Sequence, residues 1–112
     1  MATNFSKKDM IKLQNLLRKS KKTITTAESC TGGLVASMIT KISGSSDIFN
    51  GSIVTYSNSI KNKELDVLNE SLDKFGAVSK QVVSEMLDGV LKKFEADFAI
   101  AISGIAGPNG GT

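Results

Sequence analysis

Near its C-terminal end the chain carries Asp97-Phe98-Ala99-Ile100-Ala101-Ile102, an acid followed by an unbroken apolar run, then the turn Ser103-Gly104. A strand without polar alternation suits a position buried on both faces, as in a parallel sheet. Parallel strands cannot be joined by tight hairpins, so helical crossovers must lie between them. The run therefore constrains everything upstream: the preceding residues have to alternate helix and strand.

They do. Ser6-Lys7-Lys8-Asp9 has the spacing of a capping box, and Met10, Ile11, Leu13, Leu16 and Leu17 follow at near-helical intervals, predicting a helix over 7–18. Thr23-Ile24-Thr25-Thr26-Ala27 is β-branched and predicts a strand. Ser29 to Gly33 reads as a turn, and Leu34 to Ile39 as a helix packed on the core, broken at Ser43-Gly44-Ser45-Ser46. A second strand is expected over 50–56, then a short helix over 60–67 capped by Asn58 or Ser59. Gly76 closes a brief turn or helix. Ser79 caps a longer helix with Val82, Val83, Met86, Val90 and Leu91 in one stripe. The expectation is a single α/β domain over 1–112, with layered helices around a mainly parallel sheet and no repeat or linker. Pro108-Asn109-Gly110-Gly111-Thr112 would follow a central strand with nothing to close the sheet, so the chain reads as truncated at its C-terminal end.

Composition sets a class and no activity. Apolar residues make up 40% and aromatics only 5%, so the interior must be mainly aliphatic. No segment approaches the ~20 apolar residues of a membrane span, and the polar first residues carry no secretory h-region. The lone cysteine, Cys30, cannot form an internal disulfide; a cytoplasmic location is expected. Residues 1–22 hold seven basic side chains against Asp9, a net +6, while the remainder nets −3. That basic segment has no interleaved aromatics or zinc spacing, which argues for a solvated helix face and against nucleic acid. The chain has no histidine, which removes Ser-His-Asp triads, Cys-His dyads and histidine zinc sites together.

In open α/β sheets ligands bind beyond the carboxyl ends of strands, and three polar clusters are expected there. The first is Thr26-Ala27-Glu28-Ser29-Cys30-Thr31-Gly32-Gly33, the second Tyr56-Ser57-Asn58-Ser59-Ile60-Lys61, and the third Ser103 to Thr112. The first would set hydroxyls and free N–H groups at a helix N-terminus, suited to a phosphate or a developing oxyanion. Neither glycine-rich cluster fits the G-x-x-x-x-G-K-[ST] or G-x-G-x-x-G pattern.

Taken in order, Thr-Ala-Glu-Ser-Cys-Thr-Gly-Gly, Gly51 to Tyr56 with Ser57-Asn58 and Lys61, Gly76-Ala77-Val78-Ser79, and Ser103-Gly104-Ile105-Ala106-Gly107-Pro108 with Gly110-Gly111-Thr112 closely resemble one family. It is the CinA C-terminal domain family (competence/damage-inducible protein), whose members include nicotinamide mononucleotide deamidases. The resemblance runs from about Thr23 to Thr112. It implies a metal-independent, cofactor-free amidohydrolase that converts nicotinamide mononucleotide to nicotinic acid mononucleotide and ammonia, in pyridine nucleotide salvage. On this chain the family's nucleophile falls on Ser29 and its assisting tyrosine and lysine on Tyr56 and Lys61. Substrate contacts are expected from Glu28, Cys30, Thr31, Gly32, Gly33, Asn58, Ser103, Gly104, Gly107, Gly110 and Gly111. Serine stands at 103 where the family usually has threonine, keeping the hydroxyl.

As the resemblance has it, Lys61 would take the Ser29 proton directly or through Tyr56, and the N–H groups of Thr31, Gly32 and Gly33 would hold the oxyanion. The Ser103–Thr112 loop would seat the phosphate. Cys30 is the rival nucleophile, since a helix N-terminus lowers a thiol pKa. Glu28 would anchor the turn or orient Ser29. Family members commonly self-associate, so a homo-oligomer acting on a small nucleotide is expected, with no membrane partner. Some members carry a further N-terminal domain resembling molybdopterin-binding proteins, and members continue past Gly-Gly-Thr with another strand and helix. The alternative is a non-catalytic nucleotide-binding module linked to competence or DNA-damage response.

Overall fold

The computed structural model describes residues 5–104. In chain order the elements are α1 (Lys7–Ser20), β1 (Ile24–Glu28), α2 (Leu34–Thr40), a 3-10 turn (Ser45–Asp47), β2 (Ser52–Val54), α3 (Asn58–Leu65), α4 (Asn69–Phe75), α5 (Lys80–Phe94) and β3 (Phe98–Ile102). The capping box forms as the spacing predicts: Ser6 Oγ accepts from the Asp9 N–H at 3.1 Å, and the Asp9 carboxylate accepts from the Ser6 N–H at 3.0 Å. Ser79 caps α5 in the same way, accepting from the Val82 N–H. The lysines and arginine of residues 7–22 lie mostly in solvent, with Arg18 drawn onto Asp47 at 3.0 Å.

The three strands are parallel and ordered β2-β1-β3, with Ala27 opposite both Ile53 and Ala101. Period-two alternation sends β1 residues to two separate cores. On one face Ala27, Ile53, Ala99 and Ala101 meet Val82, Met86 and Val90 of α5, with Leu65, Val67 and Leu72 beside them. On the other, Ile24 joins Met10, Leu17, Ile39 and Ile48. Val82, Met86 and Val90 are each fully buried, worth about 1.5–3 kcal/mol apiece relative to exposure.

The apolar run is not buried on both faces. Ala99 and Ala101 face α5, but Phe98 is 52% and Ile100 39% exposed, because among the described residues β3 has one neighbouring strand and no element over that side. The doubly covered strand is β1, where all five residues are buried even though Thr25, Thr26 and Glu28 are polar. Boundaries differ as well. The second strand shortens to three residues, and α3 starts earlier than expected, capped by Ser57 rather than Asn58 or Ser59. Of α2 only Ile39 is fully buried. No helix among the described residues is long and apolar enough to cross a membrane.

Candidate active site

The carboxyl ends of the strands bring the first two polar clusters together. At the end of β1, alternation turns Glu28 toward α2 and Ser29 toward the opposite face, where α3 and α5 lie. Ser29 is 5% exposed, and its backbone N–H donates to the Ile102 carbonyl at 3.1 Å, extending the β1–β3 ladder by one step. Backbone pairing, not the turn, therefore sets the position of its hydroxyl.

The turn after Ser29 is held from beneath by Glu28, which has no exposed surface. One carboxylate oxygen accepts from Thr31 Oγ1 at 2.8 Å and the Val35 N–H at 2.9 Å; the other accepts from Thr26 Oγ1 at 3.0 Å and the Ala36 N–H at 2.8 Å. Burial pushes this carboxyl up, but the bonds from Ala36, Thr31, Val35 and Thr26 together outweigh it and leave it below the ordinary glutamate value. Glu28 thus caps α2 from a distance, replacing the cap that Gly33 cannot supply. Gly32 and Gly33 take φ of 63° and 101°, in the left-handed region, which lets the chain reverse tightly over this anion.

Lys61 arrives from α3. Ser57 starts that helix, its Oγ accepting from the Ile60 N–H at 3.3 Å and its carbonyl from the Lys61 N–H at 3.1 Å. The lysine is 2% exposed, and its Nζ donates to Ser29 Oγ across 3.5 Å, a long contact of the kind that tightens in a substrate complex. Among the described residues no carboxylate pairs with it. Burial lowers its pKa from the ordinary lysine value, so the neutral amine becomes accessible as a proton acceptor.

The remaining expected site residues are placed differently. Both oxygens of Glu28 are filled by protein donors, leaving no lone-pair site for a substrate, so it is an anchor rather than a contact. Thr31 spends its hydroxyl on Glu28. The Gly32 N–H donates to the Ser29 carbonyl at 3.1 Å, whereas those of Thr31 and Gly33 donate to no acceptor among the described residues. Tyr56 is 68% exposed and makes no hydrogen bond with the pair, and Asn58 is exposed on the first turn of α3. Cys30 is half-buried, its Sγ only 3.0 Å from where a side chain on Gly104 would begin, so a larger residue there would press on the thiol. Ser103 donates its hydroxyl to the Ala77 carbonyl at 2.7 Å, tying the third cluster to the segment before α5. Gly107, Gly110 and Gly111, with the expected phosphate loop, lie outside the described residues.

Thr55 is a residue that motif reading passed over. It has no exposed surface, and its hydroxyl has no partner among the described residues, while its N–H donates to the Glu28 carbonyl at 2.7 Å. Counting by twos from Ile53 would have placed it, and not Tyr56, on the Ser29 side of the sheet.

No cluster of three His, Cys, Asp or Glu side chains among the described residues could hold a metal ion. A cavity of about 410 Å³ opens between α1 and α2, lined by Phe5, Met10, Met38 and Ile42, but none of its lining residues belongs to the Ser29 turn. Its one hydroxyl, on Ser6, is engaged in the capping box.

Residues 7–112 match the family model described as the CinA C-terminal domain. The chain is 62% identical over 95 residues to a CinA-like protein of Prochlorococcus marinus, covering 85% of this chain and 22% of that one. It is 53% identical over 97 residues to a CinA-like protein of Thermotoga neapolitana, covering 87% and 24%. It thus spans under a quarter of the length of these curated relatives. Among solved structures it is similar to competence/damage inducible protein CihA from Agrobacterium tumefaciens, at TM-score 0.92 and 39% identity, covering all of this chain and 68% of that one. A competence-damaged protein (CinA) superfamily protein from Escherichia coli gives TM-score 0.90 and 35% identity, covering 99% and 65%.

Proposed function

The chain belongs to the CinA C-terminal domain family, and on that premise we propose that it is a serine amidohydrolase of pyridine nucleotide salvage, converting nicotinamide mononucleotide to nicotinic acid mononucleotide and ammonia. The observation that carries the reading is the buried Lys61 amine facing Ser29 Oγ, with no carboxylate among the described residues paired to it. A lysine whose pKa is lowered by burial beside a serine is what a Ser-Lys nucleophile needs, and this chain has no histidine to fill that role.

In the proposed reaction the Ser29 hydroxyl proton passes to Lys61 Nζ as Oγ bonds the carboxamide carbon. The N–H groups of Thr31 and Gly33 receive the oxyanion, a preorganised contribution worth a few kcal/mol. The carbon–nitrogen bond breaks, the lysine returns its proton to the leaving amine, and ammonia departs. Water, losing a proton to Lys61, then attacks the acyl-enzyme; the acyl–Oγ bond breaks, Lys61 returns that proton to Ser29 Oγ, and the product acid leaves and ionises to solvent. The direct 3.5 Å contact supports transfer without Tyr56 as intermediary. Localisation in the cytoplasm and self-association belong to the same proposal.

The test is ammonia release from nicotinamide mononucleotide by the chain and by Ser29→Ala. The expected result is loss of at least ~1000-fold in kcat with the fold retained by circular dichroism, as for removal of an essential nucleophile. Activity surviving in Ser29→Ala would sink the serine mechanism and turn attention to Cys30. Nucleotide binding without turnover in the unaltered chain would instead support a binding module.

A further inference from the structure

The buried Lys61–Ser29 pair leaves a problem of charge. Once Lys61 takes the serine proton it becomes an ammonium with three N–H donors, in a place where it is 2% exposed and, among the described residues, its side chain has one hydrogen-bond partner, Ser29 itself. A buried ammonium without acceptors is strongly disfavoured. Among the described residues two buried side-chain atoms have no hydrogen-bond partner, Gln14 Oε1 and the hydroxyl of Thr55, and Thr55 is the one on the Ser29 side of the sheet.

Its placement follows from the strand register. Ala27 pairs with Ile53 and both join the α5 core; Glu28 pairs with Val54, whose Cγ2 lies against Gly33 on the α2 side. The Thr55 N–H donates to the Glu28 carbonyl, the bond that closes the Glu28–Val54 pair and holds Thr55 against β1, and the same register carried one step on sets Thr55 opposite Ser29. Alternation returns both side chains to the α3 and α5 side, and the burial pattern agrees: Ile53 half-buried, Val54 exposed, Thr55 fully buried. At that register Thr55 would lie one strand spacing, about 4.8 Å, from the backbone of the residue whose hydroxyl Lys61 already touches. Having no exposed surface, it is out of reach of a substrate, so its partner has to come from inside the protein.

We propose that Thr55 is the positioning residue for Lys61, its side-chain oxygen accepting an N–H of the lysine while the lysine holds the serine proton. The proposal rests on the Ser29–Lys61 pairing argued above. It makes Thr55 a device that lets a buried amine accept a proton and keeps the resulting ammonium turned toward Ser29. Other charged groups on the surrounding elements are engaged elsewhere. Glu28 is filled on the opposite face of β1, Glu64 pairs with Lys93 at 3.1 Å, and Glu85 is taken by Leu68, Ser71 and Gln81. Asp88, Lys80 and Lys92 of α5 are exposed, and Lys63 is exposed on α3 itself.

The experiment is a titration of Lys61 followed by nuclear magnetic resonance on protein carrying carbon-13 at lysine Cε, with the Lys61 signal identified by its loss in Lys61→Met. Thr55→Val, nearly isosteric, is expected to lower the protonation constant of Lys61 about tenfold, the effect of one charge-assisted hydrogen bond. Thr55→Ala is expected to do the same should the valine variant fold poorly, and Thr55→Ser, which keeps the oxygen, to titrate with the unaltered chain. A Lys61 titration unchanged in Thr55→Val and Thr55→Ala overturns the proposal. So does a Thr55→Ser that falls as far as the others, since packing alone would then be the cause. The readout does not depend on turnover: a chain that released no ammonia yet showed the tenfold fall would lose the amidase reading and retain this one.

Discussion

Replacing Glu28 by glutamine keeps the size of the side chain and removes its charge, and the geometry sets the consequence. In the native turn each carboxylate oxygen accepts one backbone N–H and one threonine hydroxyl. A glutamine has one accepting oxygen; its amide nitrogen must face the other pair as a donor. The threonine hydroxyl of that pair can rotate to accept, but the backbone N–H cannot. Either Val35 or Ala36 is therefore left with a buried, unpaired N–H, whichever way the amide is turned. One unsatisfied buried donor costs about 1–3 kcal/mol. Loss of the anion at the first turn of α2 adds roughly 0.3–2 kcal/mol. We expect Glu28→Gln to lose about 2–4 kcal/mol of stability at pH 7, a fall in Tm on the order of 10–20 °C.

The pH dependence is the sharper part of this prediction. The folded-state pKa of Glu28 is depressed, so its stabilisation is present above the unfolded glutamate pKa and is lost as pH falls through the lower folded value. Glutamine has no such proton to take up. The gap between the two proteins should be widest near neutrality and should close in acid. Urea unfolding followed by circular dichroism at pH 7 and at successively lower pH measures it, since the chain has no tryptophan to follow. A difference below about 0.5 kcal/mol, or one that stays constant into acid, would refute the account of Glu28 as a buried anionic cap.

Two further variants test the other half of the site. Lys61→Met should abolish ammonia release yet leave the protein as stable as before at pH 7 or up to ~3 kcal/mol more so, because it relieves a buried amine. The lysine's pKa is lowered, so its cost is full below the folded value and fades as pH rises toward 10.5; urea unfolding at neutral and alkaline pH should show the methionine advantage shrinking. Gly89→Ala should cost about 2 kcal/mol or more by thermal melting, since its new Cβ would stand 2.1 Å from the Leu65 carbonyl oxygen where α5 crosses α3. Pushing α3 aside should also lower ammonia release, because Lys61 lies one turn before Leu65.

Local signals in this sequence were strong where the chain satisfies itself. The Ser6–Asp9 box, the Ser79 cap and the 82-86-90 stripe each depend on residues within a turn or two of one another, and each formed as read. Ser29 and Lys61 were singled out through the family resemblance, and the structure brings their side chains within 3.5 Å of each other. Boundaries moved at the ends of elements: Ser57 took the cap expected of Asn58 or Ser59, and β2 kept only the three residues that pair with Thr26, Ala27 and Glu28.

The sequence by itself determined which segments are helical, that the sheet is parallel with helices around it, and that any nucleophile must work without histidine. It did so because periodicity, capping and residue chemistry are properties of neighbours along the chain. Tertiary structure alone decided that the polar β1, and not the apolar β3, lies at the centre, since strand order is settled by which edges meet. It also turned Glu28 into an anchor for α2, brought Lys61 to Ser29 across 32 positions, left Tyr56 in solvent and buried Thr55. Those outcomes depend on register, where one step along a strand exchanges the two faces of the sheet, and register exists only once strands have found each other.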